Sequence, residues 1–155
     1  METVYIETTI VSYLVADQSA GLISMTRQEV TRLWWEHRRP WFGCFISEEV
    51  VDEAGAGDAE QARHRLEALR GMERLPISVE VGELAAAFLE TGAMPQKAAR
   101  DAVHLAVATC SGIDYLLTWN FRHLANAQIL RRLNREAEKA GWRLPQVCSP
   151  QQLMG

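Results

Sequence analysis

The chain has 155 residues, 48% hydrophobic and 23% charged, with a formal net charge of −4 at pH 7. That length and composition fit one globular domain, residues 1–155, around a single core. The negative balance argues against a broad basic surface for nucleic acid, although a nuclease whose site is built of carboxylates is compatible with it. No apolar run approaches the roughly 20 residues that span a bilayer. Residues 1–9 carry Glu2 and Glu7 without a basic leader pattern. A cytoplasmic protein without membrane contact is therefore expected. Cys44, Cys110 and Cys148 are odd in number and far apart, which gives neither a zinc spacing nor a disulfide framework. Cys44 and Cys110 lie in apolar runs and are expected to be buried.

Residues 3–7 read as a short strand, with Val4, Tyr5 and Ile6 β-prone. Thr8 or Thr9 can cap a helix that runs to about residue 16. Residues 17–20 form a polar break. Over 22–39, Leu22, Met25, Val30, Leu33 and Trp34 suit one helical face, and Pro40 ends it. Residues 41–46 read as a second, buried strand. Ser47 is a good cap for the next helix, with Glu48 and Glu49 in a first turn that favours acids. That helix carries Val50, Val51 and Glu53 and stops near Gly55 and Gly57.

Asp58 caps a helix over 59–70, which Gly71 closes. Residues 74–77 are extended, and 80–90 are helical up to Thr91 and Gly92. After Pro95 a small, apolar helix covers 96–110, ended by Ser111 and Gly112. Residues 113–118 form a strand, with Trp119 and Asn120 just beyond its carboxyl end. Residues 127–140 make an amphipathic helix with Ile129, Leu130 and Leu133 on one side, and a last strand follows at 146–149. Strands alternating with helices predict an α/β fold: a three-layer α/β/α sandwich around a parallel sheet of four to five strands.

Ligands of open parallel sheets bind beyond the carboxyl ends of the strands. Glu7 ends the first strand, and Asn120 follows the 113–118 strand. Glu53 lies on the helix after the second strand, and Asp101 lies about one turn into the 96–110 helix. If all four reach one sheet edge, three carboxylates and an amide meet there. Such a group repels itself unless a cation sits within it. Hard oxygen donors suit Mg²⁺ or Mn²⁺ as the metal, held by Glu7, Glu53 and Asp101. Three of the four have a plainer reading alone, whereas Glu7, an acid just after a buried apolar strand, needs a partner, a cation or an altered pKa. Asp101 can serve the helix dipole, Glu53 can be a solvated helix acid, and Asn120 can be a turn residue. His104 reads as a packing or hydrogen-bonding residue, and His123 as a donor at the site's edge.

Four segments resemble the PIN domain family, in order and over nearly the whole chain. Val4-Tyr5-Ile6-Glu7-Thr8-Thr9 is similar to a first strand ending in an acid followed by Thr or Ser. Ser47 through Glu53 resembles a serine cap with an acid six residues on. Asp101 through Ala108 resembles an aspartate heading an alanine-rich helix, and Leu117-Thr118-Trp119-Asn120 a strand ending in Thr-x-Asp or Thr-x-Asn. VapC-like toxins of bacterial toxin–antitoxin modules show the nearest pattern.

The resemblance implies a Mg²⁺- or Mn²⁺-dependent ribonuclease with an RNA substrate, a homodimer, and a cognate antitoxin that inserts into the acidic site. Glu7, Glu53 and Asp101 would bind metal, with Asn120 completing the catalytic set. Thr8, Thr118 and His123 would stand at the site's edge. Two positions depart from the family pattern. Glu7 stands where Asp is usual, and the added methylene moves its carboxylate by about 1.5 Å, against a tolerance of about 0.5 Å. Asn120 is an amide, and His123 stands where a further acid is often found. A degenerate, non-cleaving PIN-like domain that binds RNA or a protein is therefore the alternative. A haloacid-dehalogenase-like phosphatase fails for lack of a second acid two residues after the first. A dinucleotide fold fails for lack of a Gly-rich turn after the first strand. Trp34, Trp35, Trp41 and Phe42 crowd one stretch, and Trp34 and Trp35 cannot face the same side of a helix. Core packing accounts for most of them, and one is free to anchor an interface.

Overall fold

A computed structural model describes residues 1–17 and 21–155. Residues 18–20, the last three of the predicted polar break, lie outside the described residues. Among the described residues, five strands form one sheet. They are β1 (Thr3–Ile6), β2 (Gly43–Ile46), β3 (Glu73–Arg74), β4 (Tyr115–Leu117) and β5 (Gln146–Cys148). Their order is β3-β2-β1-β4-β5, and every neighbouring pair is parallel. The predicted α/β/α sandwich with four to five parallel strands is therefore the architecture found.

Seven α-helices flank the sheet among the described residues: α1 (Thr8–Val15), α2 (Leu22–His37), α3 (Glu48–Ala54), α4 (Ala59–Ala68), α5 (Val79–Glu90), α6 (Ala99–Cys110) and α7 (Ala127–Lys139). α1 packs on α2, α3 and α4, while α5 packs on α6 and α7. The central strand β1 is buried at Val4, Tyr5 and Ile6, with a strand on each side, which is why it reads as an unbroken apolar run. α6 is buried at nearly every position from Ala102 to Thr109 and packs most closely on α5, as its small side chains permit. Gly112, at φ +67°, takes a left-handed turn that Cβ-bearing residues disfavour, and it redirects the chain from α6 towards β4.

Register places one kind of residue at the ends of four of the five strands. Ile6 pairs with Leu117, and Leu117 pairs with Cys148, while Tyr5 pairs with Phe45 one position before Ile46. The next residues along this edge are Glu7, Ser47, Thr118 and Ser149, all polar and all buried. Two of them prolong the ladder: the Glu7 amide donates to the Leu117 carbonyl at 3.1 Å, and the Thr118 amide to the Cys148 carbonyl at 2.9 Å. Buried polar groups need partners, and the partners they find make up the site.

Several local expectations are corrected. Residues 39–41 form a 3₁₀ turn that starts the chain towards β2, so Trp41 is not in a strand and is 69% exposed. Pro40 favours this turn because its fixed φ suits a first helical position. α2 accordingly ends at His37. The third strand lies at Glu73–Arg74, overlapping only the first residue of the extended stretch expected over 74–77, and its pairing with β2 ends with the Leu75 amide on the Ile46 carbonyl. Residues 96–98 are a 3₁₀ turn ahead of α6. Cys44 and Cys110 are half-buried, and Cys148 is the buried one. Trp34 is fully buried and stacks on Phe42 at 6.0 Å, in keeping with core packing.

Candidate metal centre at the carboxyl edge

Glu7 leaves β1 in an extended conformation and is itself the N-cap of α1, a position expected for Thr8 or Thr9. Its carboxylate accepts the Thr9 amide at 3.1 Å and the Thr9 hydroxyl at 2.5 Å. The Thr118 hydroxyl donates to the same carboxylate oxygen, Oε1, at 2.5 Å. Glu7 is only 3% exposed. Burial raises its pKa above the ordinary glutamate value, against the pull of His104 and the two threonines.

Glu53 comes from α3, which begins at Ser47. Ser47 occupies the cap position without capping the helix. Its hydroxyl instead meets the Tyr5 hydroxyl at 2.7 Å, across from β2 to β1. Tyr5 in turn meets His104 Nδ1 at 2.7 Å, and His104 Nε2 faces Glu53 Oε1 at 2.5 Å. A chain of hydrogen bonds thus runs Ser47–Tyr5–His104–Glu53 through strand, helix and loop. Thr8 adds a hydroxyl donor to Glu53 Oε1 at 2.7 Å.

His104 is completely buried. Burial alone would lower its pKa, but the Glu53 hydrogen bond and the charges of Glu7, Glu53 and Asp101 raise it. Glu53 is also disfavoured as an anion by burial, yet His104 and Thr8 bring its pKa below the ordinary value. The two shifts agree in favouring an imidazolium paired with a carboxylate. In that state His104 Nε2–H donates to Glu53 and Nδ1–H donates to the Tyr5 oxygen, leaving the Tyr5 hydroxyl to donate to Ser47. Burial pushes the Tyr5 phenol itself well above its usual range, so it stays protonated.

Asp101 lies in the first turn of α6, three residues before His104. Its Oδ2 faces His123 Nδ1 at 3.3 Å. Desolvation raises its pKa, opposed by His104 and His123 and assisted by Glu53. Asn120 shapes the turn after β4. Its side-chain oxygen accepts the His123 amide at 3.0 Å, and its backbone carbonyl accepts the Ala125 amide at 2.8 Å. Asn120 therefore positions the histidine that faces Asp101.

The structure brings Glu7 and Glu53 together with His104, their ligand atoms all within 4.8 Å of one another. Asp101 stands one helical turn away, outside that tight group. Each residue expected at the edge attends one acid: Thr8 on Glu53, Thr118 on Glu7, and His123 on Asp101. Sequence reasoning did not assign Tyr5, Thr9, Ser47 or His104 to the site. Only His104 had a usable signal, since its i+3 spacing from Asp101 puts both on one face of α6.

This donor set fits a small divalent cation. Ligands at about 2.1 Å lie at most about 4.2 Å apart, so the Glu7 and Glu53 carboxylates need little movement to share an ion, with protonated His104 beside them as a hydrogen-bond donor and not a ligand. Carboxylates suit Mg²⁺ and Mn²⁺ alike.

The chain superposes on the crystal structure of FitAcB from Neisseria gonorrhoeae with a TM-score of 0.61 and 15% identity, over 97% of this chain and 100% of that one. It superposes on VapBC2 from Rickettsia felis, bound to a DNA fragment from their promoter, with a TM-score of 0.55 and 16% identity, over 95% and 98% of the two chains. The fold is PIN-like. No family model matches the chain, and a search of curated proteins finds no match. At these identities the likeness establishes the fold and leaves chemistry to be argued from the site. No helix among the described residues is long and apolar enough to cross a membrane.

Proposed function

We propose that the protein is a Mg²⁺- or Mn²⁺-dependent ribonuclease of the VapC-like toxin kind, acting on RNA in the cytoplasm and inhibited by a cognate antitoxin. The observation that carries this reading is the convergence of Glu7 and Glu53 with His104 at the carboxyl edge, with Asp101 one turn behind. The PIN-like fold supports it, as does the likeness to FitAcB and VapBC2.

Glu7, Glu53 and Asp101 are the residues that would hold the metal. When bound, such an ion supplies a Lewis acid that activates water and offsets charge on a phosphate. The chain's own residues do the rest. His104 orients Glu53 and brings positive charge into a cluster of acids. Thr9 and Thr118 fix the Glu7 carboxylate. Asn120 sets His123 against Asp101. Exposed Leu22, Ile23 and Met25, together at the start of α2, support a homodimer or antitoxin contact, since an exposed group of large apolar residues favours association.

The test is Mg²⁺- or Mn²⁺-dependent cleavage of RNA by the purified protein. Asp101→Asn is expected to abolish cleavage while the circular-dichroism spectrum is retained. Full activity in that variant sinks the proposed site.

One observation favours the alternative, a non-catalytic PIN-like domain that binds RNA or a protein. Glu7 and Glu53 are already hydrogen-bonded by protein donors, and Asp101 is paired with His123. That reading predicts binding without turnover in any divalent metal, with cleavage appearing in Glu7→Asp.

A further inference from the structure

Next to the acids the chain builds an aromatic surface that the site itself does not use. Tyr13 lies on α1, and Trp119 and Phe121 flank Asn120. The Trp119 and Phe121 rings are 5.8 Å apart, and Tyr13 meets Trp119 edge-on at 6.1 Å. Arg27 of α2 lies across all three, its guanidinium carbon 5.0 Å from the Phe121 ring centre, 5.4 Å from Trp119 and 5.9 Å from Tyr13. One of its nitrogens donates to the Tyr13 hydroxyl at 3.2 Å. Arg27 has no carboxylate partner among the described residues.

This surface is tied to the acids. Trp119 is buried, its indole N–H donates to the Thr31 hydroxyl at 2.8 Å, and its amide donates to the Thr9 hydroxyl at 2.9 Å. That same Thr9 hydroxyl donates to Glu7. Phe121, by contrast, is 43% exposed. An arginine clamped between α2 and the turn after β4 accounts for one contact of each of the three rings. It still leaves Phe121 43% exposed beside an acidic site.

We propose that Phe121, backed by Trp119 and Arg27, is the platform on which an unpaired RNA base stacks beside the phosphate to be cleaved. Single-stranded nucleic acid is recognised by stacking on aromatic faces and arginine planes, combined with cationic contact to the backbone. A guanidinium without a carboxylate partner is available to the phosphate chain. In a protein of net charge −4, a local cation and an aromatic face supply attraction that the overall charge does not. The proposal names the substrate as single-stranded RNA and rests on the ribonuclease reading above.

The test measures binding of 5′-fluorescein-labelled hexauridylate by fluorescence anisotropy, with Ca²⁺ in place of the catalytic metal. Phe121→Ala is expected to weaken binding about 5- to 150-fold, the range for one base on one aromatic ring. Phe121→Trp should bind as tightly as wild type, and Phe121→Leu should behave like Phe121→Ala. A hexamer carrying one abasic position over the platform should lose the same factor with wild type and nothing further with Phe121→Ala, because the two changes delete one contact. Binding of duplex RNA should be indifferent to Phe121.

Hexauridylate binding that is undetectable, or equal in wild type and Phe121→Ala, overturns the proposal. So does an effect of Phe121→Ala on a protein partner alone. Cleavage is scored separately in Mg²⁺ and Mn²⁺. Cleavage with Phe121-independent binding removes the platform and leaves the nuclease. Phe121-dependent stacking without cleavage removes the nuclease and leaves the platform.

Discussion

The two edges of the sheet both carry acids, and they treat them in opposite ways. At the amino edge, Asp114 accepts the Thr3 amide at 2.8 Å and the Thr3 hydroxyl at 3.0 Å, while Tyr115 donates to Glu2 at 2.8 Å. Glu2 and Asp114 are exposed and border a cavity of about 1000 Å³ that also takes in Asn134, Glu138, Trp142 and Arg143. Water solvates their charge. At the carboxyl edge, Glu7 and His104 are buried and Glu53 and Asp101 are largely covered. Charge there must be met by protein donors, a proton or a cation. A sizeable opening therefore lies at the edge with less chemical demand. Buried charge, rather than cavity size, locates the candidate site.

The comparison is broken most directly by removing one acid from each edge. Glu53→Gln should lower RNA cleavage by about 10²- to 10³-fold, the usual cost of losing one preorganised electrostatic group. Asp114→Asn should leave the initial rate unchanged, and an equal loss in both variants would erase the distinction. A smaller effect is expected from the hydrogen-bond chain behind Glu53. His104→Gln should weaken Mn²⁺ affinity by about 10- to 100-fold in isothermal titration. Tyr5→Phe, which removes the contacts at His104 Nδ1 and at the Ser47 hydroxyl but leaves His104 on Glu53, should fall between that variant and wild type.

The smallest effect concerns stability and pH. Glu7, Asp101 and His104 have raised pKa values, so each favours the folded state below its unfolded pKa, and that advantage is lost as pH rises through the folded value. Glu53, with a lowered pKa, contributes stability above its unfolded value and loses it as pH falls through the folded one. Metal-free protein should therefore melt a few degrees lower at pH 9 than at pH 6. Mn²⁺ should narrow that gap, because a bound cation replaces the missing protons. A melting temperature that is flat with pH would show that the edge acids do not carry unusual charge.

Much of this was readable from residue order. The unbroken apolar run Val4-Tyr5-Ile6 marks a central parallel strand, and Asp58 and Gly112 mark helix ends where helices do start and stop. Glu7, Glu53 and Asp101 were legible as polar residues at the boundaries of such elements. What escaped is tertiary. Ser47 looks like a helix cap, and only the pairing of β1 with β2 turns its hydroxyl towards Tyr5. His104 looks like a core histidine, and it is one, but both its nitrogens are engaged across 51 and 99 residues of chain. Trp41 looks like a strand residue because the local pattern carries no sign of where β2 begins.

Thr9 touches neither end of the hydrogen-bond chain behind Glu53, yet it serves three bonds at once. Its amide and hydroxyl hold Glu7, and its oxygen receives the Trp119 amide. Thr9→Val would keep the volume and the branched shape, so the core would tolerate it. It would remove one of the two hydroxyls on Glu7 Oε1 and the acceptor of the Trp119 amide in one change, leaving the Thr9 amide and the Thr118 hydroxyl on the carboxylate. A single change at a threonine outside the acid set therefore reaches both Glu7 and the turn bearing Asn120 and Phe121.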